Sequence, residues 1–158
     1  MTRRVLFICT GNVCRSPMAE GFLRRMAEET GAEIEVGSAG LGAMEDMKPS
    51  RNSILAMKEE GIDISPQRSR MLTPEMVESY THIFGMGSGH VDAIRSYFPE
   101  AREKTFLLRE FVGQGLDLEV PDPIGGDLDE YRLTRNLIKE AMPSVYRFVL
   151  TGDPNQPD

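Results

Sequence analysis

Cysteine and histidine are scarce in this 158-residue chain, two of each, and each scarcity closes off a class of function. Cys9 and Cys14 lie in one short loop and cannot staple a small secreted fold as a disulfide framework does. In a reducing compartment such a pair is catalytic or redox-active instead. His82 and His90 lack neighbouring ligand residues, so no metal site is expected, and His90 reads as a helix-start residue. No apolar run approaches the roughly 20 residues that cross a bilayer. Arg3 and Arg4 imitate the start of a signal peptide, but the apolar stretch Val5 to Ile8 is too short for its core. Basic residues are also in the minority: 18 Lys and Arg stand against 25 Asp and Glu, a net charge of -7. That balance argues against a broad nucleic-acid-binding surface, because phosphate backbones are held by clustered Lys and Arg. It leaves room for a small, deliberate anion site. The expectation is a cytoplasmic protein with neither nucleic acid nor membrane as partner.

What remains is ordinary globular composition, 40% hydrophobic and 27% charged, with no low-complexity tract, internal repeat or domain boundary. The length suits one core. We therefore expect a single domain over residues 1–151 followed by a disordered tail, 152–158.

Val5-Leu6-Phe7-Ile8 is a continuous apolar run, the pattern of a strand buried on both faces of a parallel sheet. A polar loop follows, then Ser16-Pro17, which reads as a helix start with Pro at the first helical position. Met18, Phe22, Leu23, Met26 and Ala27 recur on one helical face until Gly31 ends the helix. The alternation repeats: a strand over Glu33 to Gly37, a helix over Ser50 to Glu60, and a short helix near Thr73-Pro74. Then come a strand over Tyr80 to Met86, a helix over Ser88 to Phe98 and a short strand over Lys104 to Leu107. A Gly-rich loop from Gly113 to Asp127 leads to a final helix from about Leu128, in which Pro143 should force a kink or a break. Alternating strands and helices imply an α/β fold: a parallel sheet covered on both faces, with right-handed crossovers. Ligands bind beyond the carboxyl ends of such strands, and Cys9 sits at that end of the first.

The loop Cys9-Thr10-Gly11-Asn12-Val13-Cys14-Arg15-Ser16 therefore joins the first strand to the first helix. A tight turn feeding a helix N-terminus aims several backbone N–H groups into one concavity, and the helix dipole adds positive charge there. Gly11 is expected to supply the unusual backbone angles of the curl. Arg15 offers a planar fork that takes two phosphoryl oxygens at once. A cysteine at the rim of this cradle feels the same positive field, which favours the thiolate, the nucleophilic form. Facing a bound phosphoryl group, it can displace the leaving oxygen in line and form a cysteinyl phosphate. The loop lacks the Gly-Lys-Ser/Thr ending of a nucleotide P-loop and the spacing of a dinucleotide fingerprint. Thr10, Gly11, Asn12, Val13, Cys14, Arg15 and Ser16 are the candidate phosphate-binding residues. Cleavage also needs a proton donor near the cradle, and Val120-Pro121-Asp122-Pro123 in the last loop is one candidate, although on composition alone an ordinary Asp turn is the stronger reading.

Val5 to Glu20, reading VLFICTGNVCRSPMAE, resembles the signature of the low-molecular-weight protein tyrosine phosphatases, and weaker correspondences run to about Val149. The resemblance implies a single three-layer domain of the flavodoxin-like, phosphotyrosine protein phosphatase I type. Its four-stranded parallel sheet would be flanked by helices, with neither metal nor organic cofactor. It implies Cys9 as nucleophile and Arg15 as oxyanion clamp, and it selects Asp122 as general acid over Asp127 and Asp129, which look like residues of the final helix start. Asn12 would hold the loop backbone, Ser16 would hydrogen-bond the Cys9 sulfur, and Ser38 would brace Asn12. Cys14 would form a reversible protective disulfide with Cys9. Tyr131 would line the substrate entrance or be phosphorylated.

Three departures bear on the substrate. The family's aromatic residue after Asp-Pro is Ile124 here, and a histidine of the family is Gln67. Met86 to His90, Phe106 to Val112 and Asp122 to Gly126 look more like the bacterial protein-arginine phosphatase branch. That branch carries Thr where this chain has Val13, and an apolar side chain gives up a hydrogen bond to a polar substrate group. Phosphotyrosine in proteins is thus the expected substrate, with inorganic phosphate as product and phosphoarginine as the alternative. Arsenate reduction would need relay cysteines beyond Cys14. A phosphoprotein-binding module without turnover would not need nucleophile, Arg and acid together.

Overall fold

The computed structural model describes residues 2–113 and 115–156. Four strands make one sheet: β1 (Arg3–Cys9), β2 (Ile34–Gly40), β3 (His82–Gly85) and β4 (Thr105–Leu107). They lie in the order β2-β1-β3-β4, and every pairing is parallel. The helices are α1 (Arg15–Thr30), α2 (Arg51–Lys58), α3 (Pro74–Ser79), α4 (Ser88–Tyr97) and α5 (Leu128–Thr151), with a 3-10 turn over Pro99–Lys104. This is the expected α/β domain. The chain leaves β1 for β2 on one side and reaches β3 on the other, so the end of β1 is where the strand order reverses.

The two faces of β1 explain the sandwich. Val5, Phe7 and Cys9 join Met18, Leu23, Ile138 and Val145 in one core beneath α1, α2 and α5. Leu6 and Ile8 point the other way, onto Val77, Ile83 and Ile94 under α3 and α4. Val5 to Ile8 are all fully buried, and burying four such side chains contributes about 6–12 kcal/mol before entropy is counted. Gly31, left-handed at φ 73°, stops α1 where expected.

Several details differ from the sequence reading. Helix α1 starts at Arg15, so Ser16 and Pro17 are its second and third residues rather than a cap and a first position. Strand β2 runs on to Gly40, because Gly37 to Gly40 pair with Leu6 to Cys9. Helix α5 is continuous through Pro143. Pro143 lies on the exposed side, as does Lys139, so the carbonyl that loses its partner there is free to hydrate. In the tail, Gly152 caps α5 in the left-handed conformation, Asn155 N–H donates to Asp153 Oδ1 (2.9 Å), and Arg147 donates to the Pro154 carbonyl (2.9 Å). Pro157 and Asp158 lie outside the described residues.

Candidate active site

The loop after β1 curls into a pocket of about 120 Å³ lined by Cys9, Thr10, Gly11, Val13, Cys14, Arg15, Asp122 and Ile124. The curl turns on Asn12, not on Gly11. Asn12 has φ 57°, while Gly11 lies outside the left-handed region and a side chain there would meet only Val13 at ordinary distance. Asn tolerates this conformation because its short polar side chain bonds locally. Here Nδ2 donates to Ser16 Oγ (2.8 Å) and Ser38 Oγ (2.9 Å), and Oδ1 accepts from Arg70 N–H (3.0 Å). Ser38 in turn donates to Glu20, whose other oxygen takes Arg24 at 2.6 Å. The buried carboxylate is thereby paired rather than stranded.

This chain of contacts ends on sulfur. Asn12 N–H donates to Cys9 Sγ (3.2 Å), and Ser16 Oγ lies 2.9 Å from it. Cys9 is 2% exposed at the floor of the pocket. Other parts of the cradle are held separately. Gly42 N–H reaches the Thr10 carbonyl (3.0 Å), and Ser50 N–H the Val13 carbonyl (2.8 Å). Ser53 Oγ donates to the Cys14 carbonyl (3.0 Å). Gly40 must be glycine: a Cβ there would stand 2.5 Å from the Thr10 carbonyl oxygen and 3.1 Å from Asn12 N.

Arg15 is 6% exposed and spends one nitrogen on the Val120 carbonyl (3.0 Å). A second nitrogen is 3.6 Å from Asp122 Oδ2, and Nε is buried with no partner among the described residues. That spare donor suits an oxyanion oxygen. Asp122 is 41% exposed at the rim, its Oδ1 accepting from Ile124 N–H (3.1 Å). Asp127 caps α5 by accepting from Glu130 N–H (3.0 Å), and Asp129 pairs with Arg132 (2.8 Å), so neither faces the cradle. The loop that bears Asp122 is docked by Val120 N–H on the Met86 carbonyl (2.9 Å) and by Glu119 accepting from Ser88 N–H (3.0 Å). Buried Arg109 holds the preceding segment through the Asp117 carbonyl (2.7 Å) and Glu140 (2.9 Å).

Val13 and Ile124 line the pocket, and Ile124 is 68% exposed at its mouth. Tyr131 does not line it. Its ring is buried in the core, with the hydroxyl 3.4 Å from Cys14 Sγ. Burial, and then the Cys14 contact, push its phenol up to about 12, so it stays protonated. Both cysteines are free thiols. Among the described residues no cluster of three or more His, Cys, Asp or Glu is placed to hold a metal ion, and no helix is long and apolar enough to cross a membrane.

The model of the low molecular weight phosphotyrosine protein phosphatase family matches residues 4–150. The chain belongs to that family. Among relatives of this phosphatase, a protein-arginine-phosphatase of Geobacillus stearothermophilus is 43% identical over 136 residues, 86% of this chain and 88% of that protein. A low molecular weight protein-tyrosine-phosphatase of Streptomyces coelicolor is 34% identical over 150 residues, 89% and 90% of the two chains. The fold matches a solved cysteine-to-serine mutant of the YwlE arginine phosphatase that carries a phosphorylated active-site serine. The TM-score is 0.83 at 35% identity, covering 92% of this chain and 95% of that one.

Several residues of this phosphatase's site were not legible beforehand. Arg70 and Glu20 reach the cradle through Asn12 and Ser38, and Glu119 secures the loop that bears Asp122. His90 Nε2 lies 3.0 Å from Thr10 Oγ1. Arg70, His90 and Glu119 lie far from the signature in sequence, and Glu20, at its end, meets Ser38 only in the folded chain; these are tertiary contacts, which no spacing rule encodes.

Proposed function

We propose that this protein hydrolyses phosphorylated protein side chains through a cysteinyl-phosphate intermediate. The observation that carries the reading is Cys9 Sγ, held by Asn12 N–H and Ser16, in one pocket with Asp122 and with Arg15, whose buried Nε has no partner among the described residues. The thiolate attacks phosphorus as the bond to the leaving oxygen breaks, and the Asp122 carboxyl gives that oxygen its proton. The cradle N–H groups and the Arg15 fork take the three equatorial oxygens, whose charge is greatest in the transition state. Water then attacks the thiophosphate, Asp122 takes its proton, and inorganic phosphate leaves. Cys14 serves as resolving thiol: when a peroxide oxidises the Cys9 thiolate to the sulfenic acid, itself being reduced to water or an alcohol, the Cys14 thiol condenses with it, releasing water and closing a disulfide. The free cysteine pair suits a reducing, cytoplasmic setting.

Phosphotyrosine is the preferred substrate. The walls offered to a leaving group are Val13 and Ile124, both apolar, which favours an aryl ring over a guanidinium. The name and 43% identity of the Geobacillus relative support phosphoarginine as the second reading. The test is steady-state hydrolysis of p-nitrophenyl phosphate, a phosphotyrosine peptide and a phosphoarginine peptide, with Cys9→Ser alongside. Turnover that needs Cys9, with kcat/KM larger for phosphotyrosine, is expected. A larger value for phosphoarginine overturns the substrate preference, and no turnover by reduced enzyme overturns the whole reading.

A further inference from the structure

The turn between β3 and α4 brings a second side chain to the cradle. His90 is the third residue of α4, half-buried, and each of its ring nitrogens is engaged. Nδ1 accepts from the Gly87 backbone N–H (3.2 Å), and Nε2 lies 3.0 Å from Thr10 Oγ1. A backbone N–H can only donate, so Nδ1 carries no hydrogen. The ring is then neutral with its hydrogen on Nε2, donated to the Thr10 hydroxyl. We propose that His90 is a positioning residue: in this one tautomer it fixes Thr10, and with it the first peptide after the nucleophile. The inference rests on the phosphatase reading of the site.

Thr10 is the residue that most needs such a hold. Asn12, Val13, Cys14 and Arg15 are each tied to the body of the protein, whereas Thr10 is exposed and its hydroxyl has no other partner among the described residues. Its carbonyl is fixed by Gly42 N–H on the β2 side. His90 supplies the opposing hold from the β3 side, so the peptide that aims the first cradle N–H groups is clamped between the two neighbours of β1. The groups facing His90 from other elements are Arg15 on α1 and Glu119 and Asp122 on the acid loop. Burial and then Arg15 lower its ordinary value against the opposing pull of the two carboxylates, which keeps the ring neutral at neutral pH. The same turn holds the acid loop through Ser88 and Met86, so nucleophile loop and acid loop share one support.

A double-mutant cycle separates this role from plain helix capping. Wild type, His90→Ala, Thr10→Val and the double variant are compared in affinity for inorganic phosphate by calorimetry, in kcat/KM for p-nitrophenyl phosphate, and in Tm. Each single change is expected to weaken phosphate binding and kcat/KM by roughly 3- to 10-fold, the range of one neutral hydrogen bond. The double variant should fall no more than about 2-fold below the worse single one, because both remove the same bond. His90→Gln, whose amide can accept from Gly87 and donate to Thr10 together, should stay within about 2-fold of wild type. Full additivity, or a His90→Ala protein with lower Tm and unchanged phosphate affinity, overturns the inference. A wild type that binds phosphate without turnover defeats the phosphatase reading alone, since the cycle is still read on affinity.

Discussion

Replacing Asn12 by alanine tests the account of the cradle most severely. The change removes three hydrogen bonds, two buried ones to Ser16 and Ser38 and a partly buried one from Arg70 N–H. At about 1 kcal/mol net each, they amount to about 3 kcal/mol. It also leaves a residue with a Cβ and no local hydrogen bond at φ 57°, which adds about 1 kcal/mol. A total near 4 kcal/mol lowers Tm by about 8–16 °C in a domain of this size. Asn12→Gly loses the same bonds but not the backbone ease, so its Tm should lie above that of Asn12→Ala by about 2–4 °C. Both should lose activity beyond their stability loss, because the Asn12 N–H and Ser16 no longer hold Cys9 Sγ in place. Thermal melts and kcat for p-nitrophenyl phosphate, taken well below either midpoint, decide it. An alanine variant within about 3 °C of wild type, or a glycine variant that melts below the alanine one, would refute the reasoning.

Two further outcomes follow from other parts of the structure. Asp122→Asn should cost on the order of 100-fold in kcat with a poor alkyl-type leaving group and much less with p-nitrophenolate, which needs no proton; equal losses would remove Asp122 from the role of acid. Glu59, bonded to Arg132 and then Arg135, is held down from 4.5 to about 2. A depressed carboxylate stabilises the fold above its ordinary value and ceases to do so as pH falls through the lowered one. The urea midpoints of wild type and Glu59→Gln should therefore differ at pH 7 and converge towards pH 2, and a gap that persists at pH 2 contradicts the assignment.

The strands and helices were legible where hydrophobic period and chain punctuation agree, as in Val5 to Ile8 and in α1 up to Gly31. The end of β2 was not, because Gly-Ser-Ala-Gly has no strand propensity and is extended only by its pairing with β1. Pro143 misled because a rule about lost hydrogen bonds takes no account of which side of a helix meets water. Within the site, the contiguous residues from Cys9 to Ser16 could be read from one motif. The assignment of the curl to glycine failed because side-chain bonding holds an asparagine in the same backbone region at little cost. Tyr131, placed by analogy at the entrance, is buried against Cys14, since the start of α5 turns that side chain inward.

The cradle spans only a few residues, yet its supports come from Ser38, Arg70, His90 and Val120, spread along most of the chain. The proposed phosphate site is consequently a property of the completed fold, and thermodynamic linkage makes the converse true. At 100 times its dissociation constant, bound phosphate would add about 2.7 kcal/mol to global stability. A nascent chain that has emerged only as far as β2 already carries Cys9, but not Arg70, His90 and Val120, which hold the loop around it in the folded protein.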